Sequence, residues 1–166
     1  MFELNGDLLG GLDQLADDIE EHVVRSVAHA GALVFYEEAR TLAPVYRGTE
    51  KKGVRPGQLR EAIYRAFADQ QSTAGQAVYR ISWNAKKAPH GHLIENGHWL
   101  VRKVNGKKER LRWVPPHSFI RRAFDRAPAA LEAMRERAVQ KMAEALQRSV
   151  VDDFGNEVAV GMPYDS

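Results

Sequence analysis

Three of the six histidines of this chain fall within nine residues, His90 to His98 in HGHLIENGH, with Glu95 between them. Neutral imidazoles and a carboxylate are ligands that zinc accepts, so the first chemistry to weigh is a metal centre. The spacing does not serve it. A zinc-protease helix carries two histidines four residues apart around a catalytic glutamate, whereas His92 and Glu95 are three apart and no HExxH occurs. Asn96-Gly97 interrupts a helix before His98 is reached, and His117 joins only if the fold brings it near. The expectation is no metal and no cofactor, with His90, His92 and His98 incidental.

Other catalytic arrangements have less support. Glycines occur as the pair Gly10-Gly11 and singly, with no GxGxxG or GxxxxGK phosphate loop. There is no GxSxG nucleophile turn. Glu37 and Glu38 are adjacent, and neighbours on a helix do not face each other. A magnesium-dependent nuclease needs converging carboxylates, but the acids here are spread over helix faces. With no cysteine, disulfides, thiolate ligands and a cysteine nucleophile are excluded. The reading is a protein that is not an enzyme.

The 166 residues make about one ordinary domain with its own core. Apolar residues at 44% suit a globular protein, and 28% charge argues against a membrane protein. No run approaches the ~20 apolar residues that span a bilayer, and MFELNGDLLGGLDQLADDIEE lacks the basic start of a signal peptide. The formal charge of +2 conceals a segregation. Residues 1–40 hold two Lys/Arg against nine Asp/Glu, residues 41–122 seventeen against five, and residues 123–166 five against eight. A basic block between acidic flanks fits either nucleic-acid binding or opposed faces that meet between identical subunits.

The elements that must position these residues follow from periodicity. Leu8, Leu12, Leu15, Ile19, Val23, Val27, Ala30 and Val34 recur every three or four positions, predicting one amphipathic helix from Leu8 to about Leu42. Asp13, Asp17 and Asp18 suit its N-terminal dipole, Gly31 weakens it by ~1 kcal/mol, and Pro44 ends it. Residues 45–57 read as an exposed basic loop. Pro56 opens a short helix with Leu59, Ala62, Ile63 and Ala66 on its buried side. In QAVYRISWN the alternation of Ala77, Tyr79, Ile81 and Trp83 predicts a strand.

Asn105-Gly106 between two β-rich runs predicts a type I′ hairpin over 99–114. Its register pairs Val104 with Lys107, Arg102 with Glu109 and Leu100 with Leu111. The opposite face then holds Lys103, Lys108, Arg110 and Arg112 beyond Trp99 and Val101. From Ser118 to Val150 the pattern is helical again, with Ile120, Ala123, Phe124, Leu131, Met134, Ala138, Met142 and Leu146 apolar and Pro128 a kink or a second start. The sum is an α+β domain: long N-terminal helix, short helix, small antiparallel sheet with a protruding β-hairpin, and long C-terminal helix. It spans residues 1–150, with 151–166 a C-terminal arm.

The histidine-rich stretch also carries a resemblance. APHGHLIENGH is similar to the segment written loosely as YAxxVExGT in neck, or tail-completion, proteins of long-tailed bacteriophages, which are minor tail or head–tail connector components. Glu95 and Gly97 match that family's glutamate and glycine, and Leu93 and Ile94 its hydrophobic pair. His90 stands in place of its tyrosine and His98 of its threonine. Three more segments agree in order: ARTLAPV (39–45) resembles the end of its first helix, RPGQLREAI (55–63) its TGxLRxSI, and PPHSFIRRAFD (115–125) its hPFLRPAxD. The resemblance covers about residues 8–148. Departures are Pro56, Ala62, Ser118 and Arg122, and a basic hairpin longer than usual.

The resemblance implies a structural virion protein at the head–tail junction, assembling as a ring with six- or twelvefold symmetry. It implies that Leu59, Arg60, Glu95, Gly97, Phe119 and Arg121 are structural motif residues. Glu95 is then a polar anchor receiving hydrogen bonds from backbone or from Arg60. Gly97 supplies a positive φ leading into the hairpin. The expected interface is Arg102, Lys103, Lys107, Lys108, Arg110 and Arg112. Its expected partners are other copies of the chain and neighbouring portal, adaptor or tail proteins, with genomic DNA in the ring lumen a further contact and no membrane involved. The chain is expected to be made in the host bacterial cytoplasm and to reside in the virion. The alternative is a nucleic-acid-binding module in which the hairpin cations and Trp99 and Trp113 contact phosphates and bases. A metal hydrolase comes third.

Overall fold

The computed structural model describes residues 13, 16–17, 19–48, 55–73 and 75–154, the side chains of 20, 21 and 148–154 excepted. Leu8, Leu12 and Leu15, residues 49–54 of the basic loop and residues 155–166 of the arm lie outside the described residues. A π-helical turn (Ile19–Val23) runs into α1 (Val24–Leu42). The helix stops because Pro44 disfavours helical geometry in the residue before it. Ala43 is extended, and its N–H closes the last turn on the Ala39 carbonyl at 3.0 Å.

The short helix is shorter than its apolar spacing predicts. After Gly57, α2 (Gln58–Ala62) makes five residues, and Ile63 is already extended. Ile63 and Ala66, expected on the helix, belong to β1 (Ile63–Phe67), antiparallel to β2 (Tyr79–Trp83) with Ile63 opposite Trp83, Arg65 opposite Ile81 and Phe67 opposite Tyr79. AIYRAF satisfies both a helical and an alternating pattern over so short a run. Pairing with β2 decides between them, and the β-branched and aromatic residues fit the pleated surface.

α3 (Gly91–Asn96) leads to the hairpin β3 (His98–Val104) and β4 (Lys107–Val114), which forms a second two-stranded sheet. The predicted last helix is divided into α4 (Phe119–Ala123), a 3-10 turn (Phe124–Arg126) and α5 (Ala127–Phe154), with Pro128 in the first turn of α5. Residues 151–154, assigned from sequence to the arm, continue α5.

The core lies at the C-terminal half of α1. It comprises Ala39, Ala43, Leu59, Ala62, Ile63, Ala88, Phe119 and Ala123, flanked by Tyr36, Leu42, Ile81, Trp83, Ile94 and Ile120. Phe119 is its largest fully buried side chain, with the Trp83 ring 5.9 Å away. Most of the cluster is alanine, so the elements approach closely around one aromatic ring. The α1–α5 contact follows the same rule. Gly31 is buried there, and a Cβ on it would stand 2.6 Å from Met134 Sδ. The residue that weakens the helix in isolation lets α5 pack against it.

The apolar residues predicted to bury α5 divide in an unexpected way. Met134 and Ala138 are half-buried, and Ala130 and Ala145 are buried. Phe124, Leu131, Met142 and Leu146, assigned to the buried stripe from sequence, are exposed, as is Val139. Small residues rather than leucines therefore meet α1.

Candidate functional site

The segment His90–His98 is a short helix plus one glycine, and its buried group is the carboxylate. Glu95 is 5% exposed, the only buried charged residue among those described. Its Oε2 accepts the N–H of Ile120 at 3.0 Å and its Oε1 that of Arg121 at 3.2 Å. Those N–H groups belong to the first turn of α4, which has no capping bond from its own N-cap residue. Ser118, at φ +49°, instead donates its hydroxyl to the Glu95 carbonyl at 3.2 Å. Glu95 thus caps α4 from another helix, satisfying orphan donors with a charge of the sign the helix N-terminus favours.

Arg121 reinforces this seat with its Nε 3.5 Å from Glu95 Oε1, and its Nη2 donates to Asn96 Oδ1 at 2.6 Å. Arg60, expected as an alternative donor, does not take part. It lines a separate cleft with Glu37, Arg40 and Thr41, and its Nε is buried without a hydrogen-bond partner. The reason is geometric: Arg60 sits on the side facing α1, beside Glu37, Arg40 and Thr41. Leu59 and Phe119 are core residues. Gly97 has φ +73°, and a Cβ there would lie 2.8 Å from the Val114 carbonyl oxygen and from Trp113 Cζ2. Only glycine permits both the conformation and the closeness.

The histidines take separate places. His90 borders a cleft with Tyr46, Leu59 and Ile94, His92 is exposed, and His98 has Nδ1 3.3 Å from the Leu93 carbonyl. Among the described residues no three His, Asp or Glu side chains converge as metal ligands.

The hairpin follows the predicted register near its turn and departs from it further down. Val104 pairs with Lys107, Lys103 with Lys108 and Arg102 with Glu109, around Asn105 at φ +48° and Gly106 at φ +78°. Beyond Val101–Arg110 the register shifts: Leu100 pairs with Arg112, not with Leu111. Leu111 is the extra residue of a β-bulge, which re-aims the side chains beyond it. Arg112 therefore leaves the face assigned to it and stands opposite Leu100. Trp99 and Trp113 become partners with ring centroids 5.7 Å apart, edge to face. The Arg110 guanidinium lies 5.5 Å from the Trp99 ring centroid, within cation–π range. One face of the hairpin thus carries Trp99, Trp113, Val101 and Arg110 with Lys103 and Lys108.

Neither face of this ribbon is covered. Trp99, Leu100, Val101, Leu111 and Trp113 are all exposed, and each strand packs extensively only on the other. Leu131, Val139 and Met142 form a second exposed apolar surface, on α5. Neither was legible in the sequence: the bulge has no glycine to mark it, and the exposed side of α5 depends on which face packs against α1. Among the described residues no helix is long and apolar enough to cross a membrane. No protein-family model matches the chain, and neither do curated proteins or solved structures.

Proposed function

We propose that this chain is a structural subunit of the head–tail junction of a tailed bacteriophage, a neck or tail-completion protein that closes into a ring. One observation carries the reading. Alanines occupy the core, whereas two tryptophans and a series of leucine, valine and methionine side chains lie outside it on the hairpin and on α5. A two-stranded ribbon is marginal on its own, and contiguous apolar surface rimmed by charge marks an interaction site. Two unlike surfaces on one chain suit head-to-tail contact, which closes a ring when the rotation permits. The four motif segments add their weight, since Glu95 and Gly97 organise the junction between α3, the hairpin and α4.

The purified full chain is expected to elute as a ring several times the monomer mass without nucleic acid, and to show a ring by negative-stain electron microscopy. A monomer at every salt concentration, with no incorporation into particles, would remove this reading. The second reading, nucleic-acid binding, is favoured by the Trp99–Trp113 pair with Arg110 over it, a surface able to stack on bases and meet phosphates. Fluorescence anisotropy with single- and double-stranded DNA distinguishes it: tight binding by a small species, lost when Lys108, Arg110 and Arg112 become glutamate, decides for that alternative.

A further inference from the structure

Along the N-terminal half of α1, away from the hairpin, lies a cleft of about 270 Å³ lined by His22, Arg25, Ser26, His29 and Tyr79. Three elements bring cations to it. From α1, Arg25 lies with its guanidinium 4.2 Å from the Phe67 ring centroid of β1. From α5, Arg137 donates through Nε to Ser26 Oγ at 2.8 Å. From β1, Arg65 lies beside the cleft rather than in its lining, its guanidinium 5.6 Å from the Tyr36 ring centroid and close enough to act electrostatically on His29, as Arg137 also does. Among the described residues no Asp or Glu forms an ion pair with Arg25, Arg65 or Arg137.

Gathering like charges against apolar rings costs free energy unless an anion joins them. The donors present are those that oxyanions take. Guanidinium groups match phosphate and carboxylate geometry, and Ser26, which accepts from Arg137, keeps its own O–H to donate. His29 and Tyr79 line the same space, their ring centroids 5.7 Å apart. We infer that this cleft is an oxyanion site that receives a phosphate group held by Arg25, His29 and Ser26, with Arg65 and Arg137 adding positive charge beside it. The phosphate comes either as free inorganic phosphate or as a phosphodiester of nucleic acid, and the chemistry at the cleft is the same.

His29 is the reporter. Its pKa lies below the ordinary 6.5, first because the ring is partly withdrawn from water and then because Arg65 and Arg137 repel its charged form. A bound anion offsets that repulsion. In the full chain with labelled histidine, the His29 ring is titrated by NMR in chloride, in inorganic phosphate and with a short DNA duplex, all at matched ionic strength. The expected result is an upward shift of the His29 midpoint towards 6.5. A shift with inorganic phosphate identifies a small-ion site, and a shift with the duplex alone identifies a phosphodiester site. The surface change Arg25→Gln should abolish the response, and Arg65→Gln should weaken it. Arg25→Gln, exposed on its helix, serves should the half-buried position not tolerate glutamine. An unmoved midpoint in both arms, or a shift that survives Arg25→Gln, overturns the inference. Ring formation is measured separately by mass, so failure here leaves the assembly reading untouched.

Discussion

Glu95 does for α4 what a capping residue normally does for its own helix, and it does so from inside the protein. Replacing it with alanine strands the N–H groups of Ile120 and Arg121 near the core. An unsatisfied buried donor costs ~1–3 kcal/mol, so Glu95→Ala is expected to lower stability by that order in denaturant titration. Glu95→Gln, which keeps an acceptor but loses the charge, should fall between the two. Gly97→Val places a β-branched residue at φ +73° against the Val114 carbonyl and should be at least as damaging as Glu95→Ala. Wild-type melting of both variants would remove the structural role. His29 gives stability a sign with pH. Its folded pKa is lowered, so below the ordinary value of 6.5 the unfolded chain takes up the proton more readily. Stability should therefore fall as pH drops through 6.5 and level off below the folded pKa, and His29→Gln should flatten that part of the melting-temperature profile. A profile identical in wild type and variant counts against the electrostatic account.

At the scale of elements, the two long helices meet through small residues and the hairpin meets no other element extensively. Gly31 is a close point of the first contact, facing Met134. Introducing a leucine there overpacks a close crossing, for which costs of ~1–3 kcal/mol are typical. Gly31→Leu should lose that order of stability in spite of leucine's better helix propensity, and equal or greater stability would show that the helices can part without penalty. The hairpin behaves oppositely. Lys103, Lys108 and Arg110 lie on an uncovered face, so reversing Lys108, Arg110 and Arg112 to glutamate should leave the melting temperature of the single chain nearly unchanged while abolishing assembly. Loss of folding in that variant would mean the hairpin serves the fold itself.

Across the whole molecule, the balance of charge and burial points outward. Acidic residues dominate positions 1–40, and basic ones dominate 41–122. Contacts between such faces are screened over ~8 Å at physiological ionic strength. If they join copies in a ring, raising salt should lower the mass measured by light scattering, and reversing acids in residues 13–21 should partly rescue the hairpin reversal. A mass insensitive to salt would assign assembly to the apolar stripe of α5 instead. Leu131→Glu, on a side chain 65% exposed, should then disrupt assembly at little cost to the single chain.

The sequence by itself determined the elements whose signals are local. The end of α1 was legible because Pro44 constrains the residue before it. The hairpin turn was legible because Asn105-Gly106 accepts two positive φ values, and the special backbone of Gly97 could be read where a short helix meets a strand. Tertiary structure alone decided what depends on distant partners. AIYRAF became mostly strand because β2 lies beside it, and Glu95 found its donors in α4, 25 residues on, instead of at Arg60. Leu111 is left out of the pairing, and Trp99 faces Trp113 beyond it. Leu131, Met142 and Leu146 are exposed because α1 packs against the neighbouring face of α5, which carries Ala130, Met134 and Ala145. Periodicity records which residues share a face, but what covers that face is settled only when the chain is assembled, because burial is a property of the neighbours as much as of the residue.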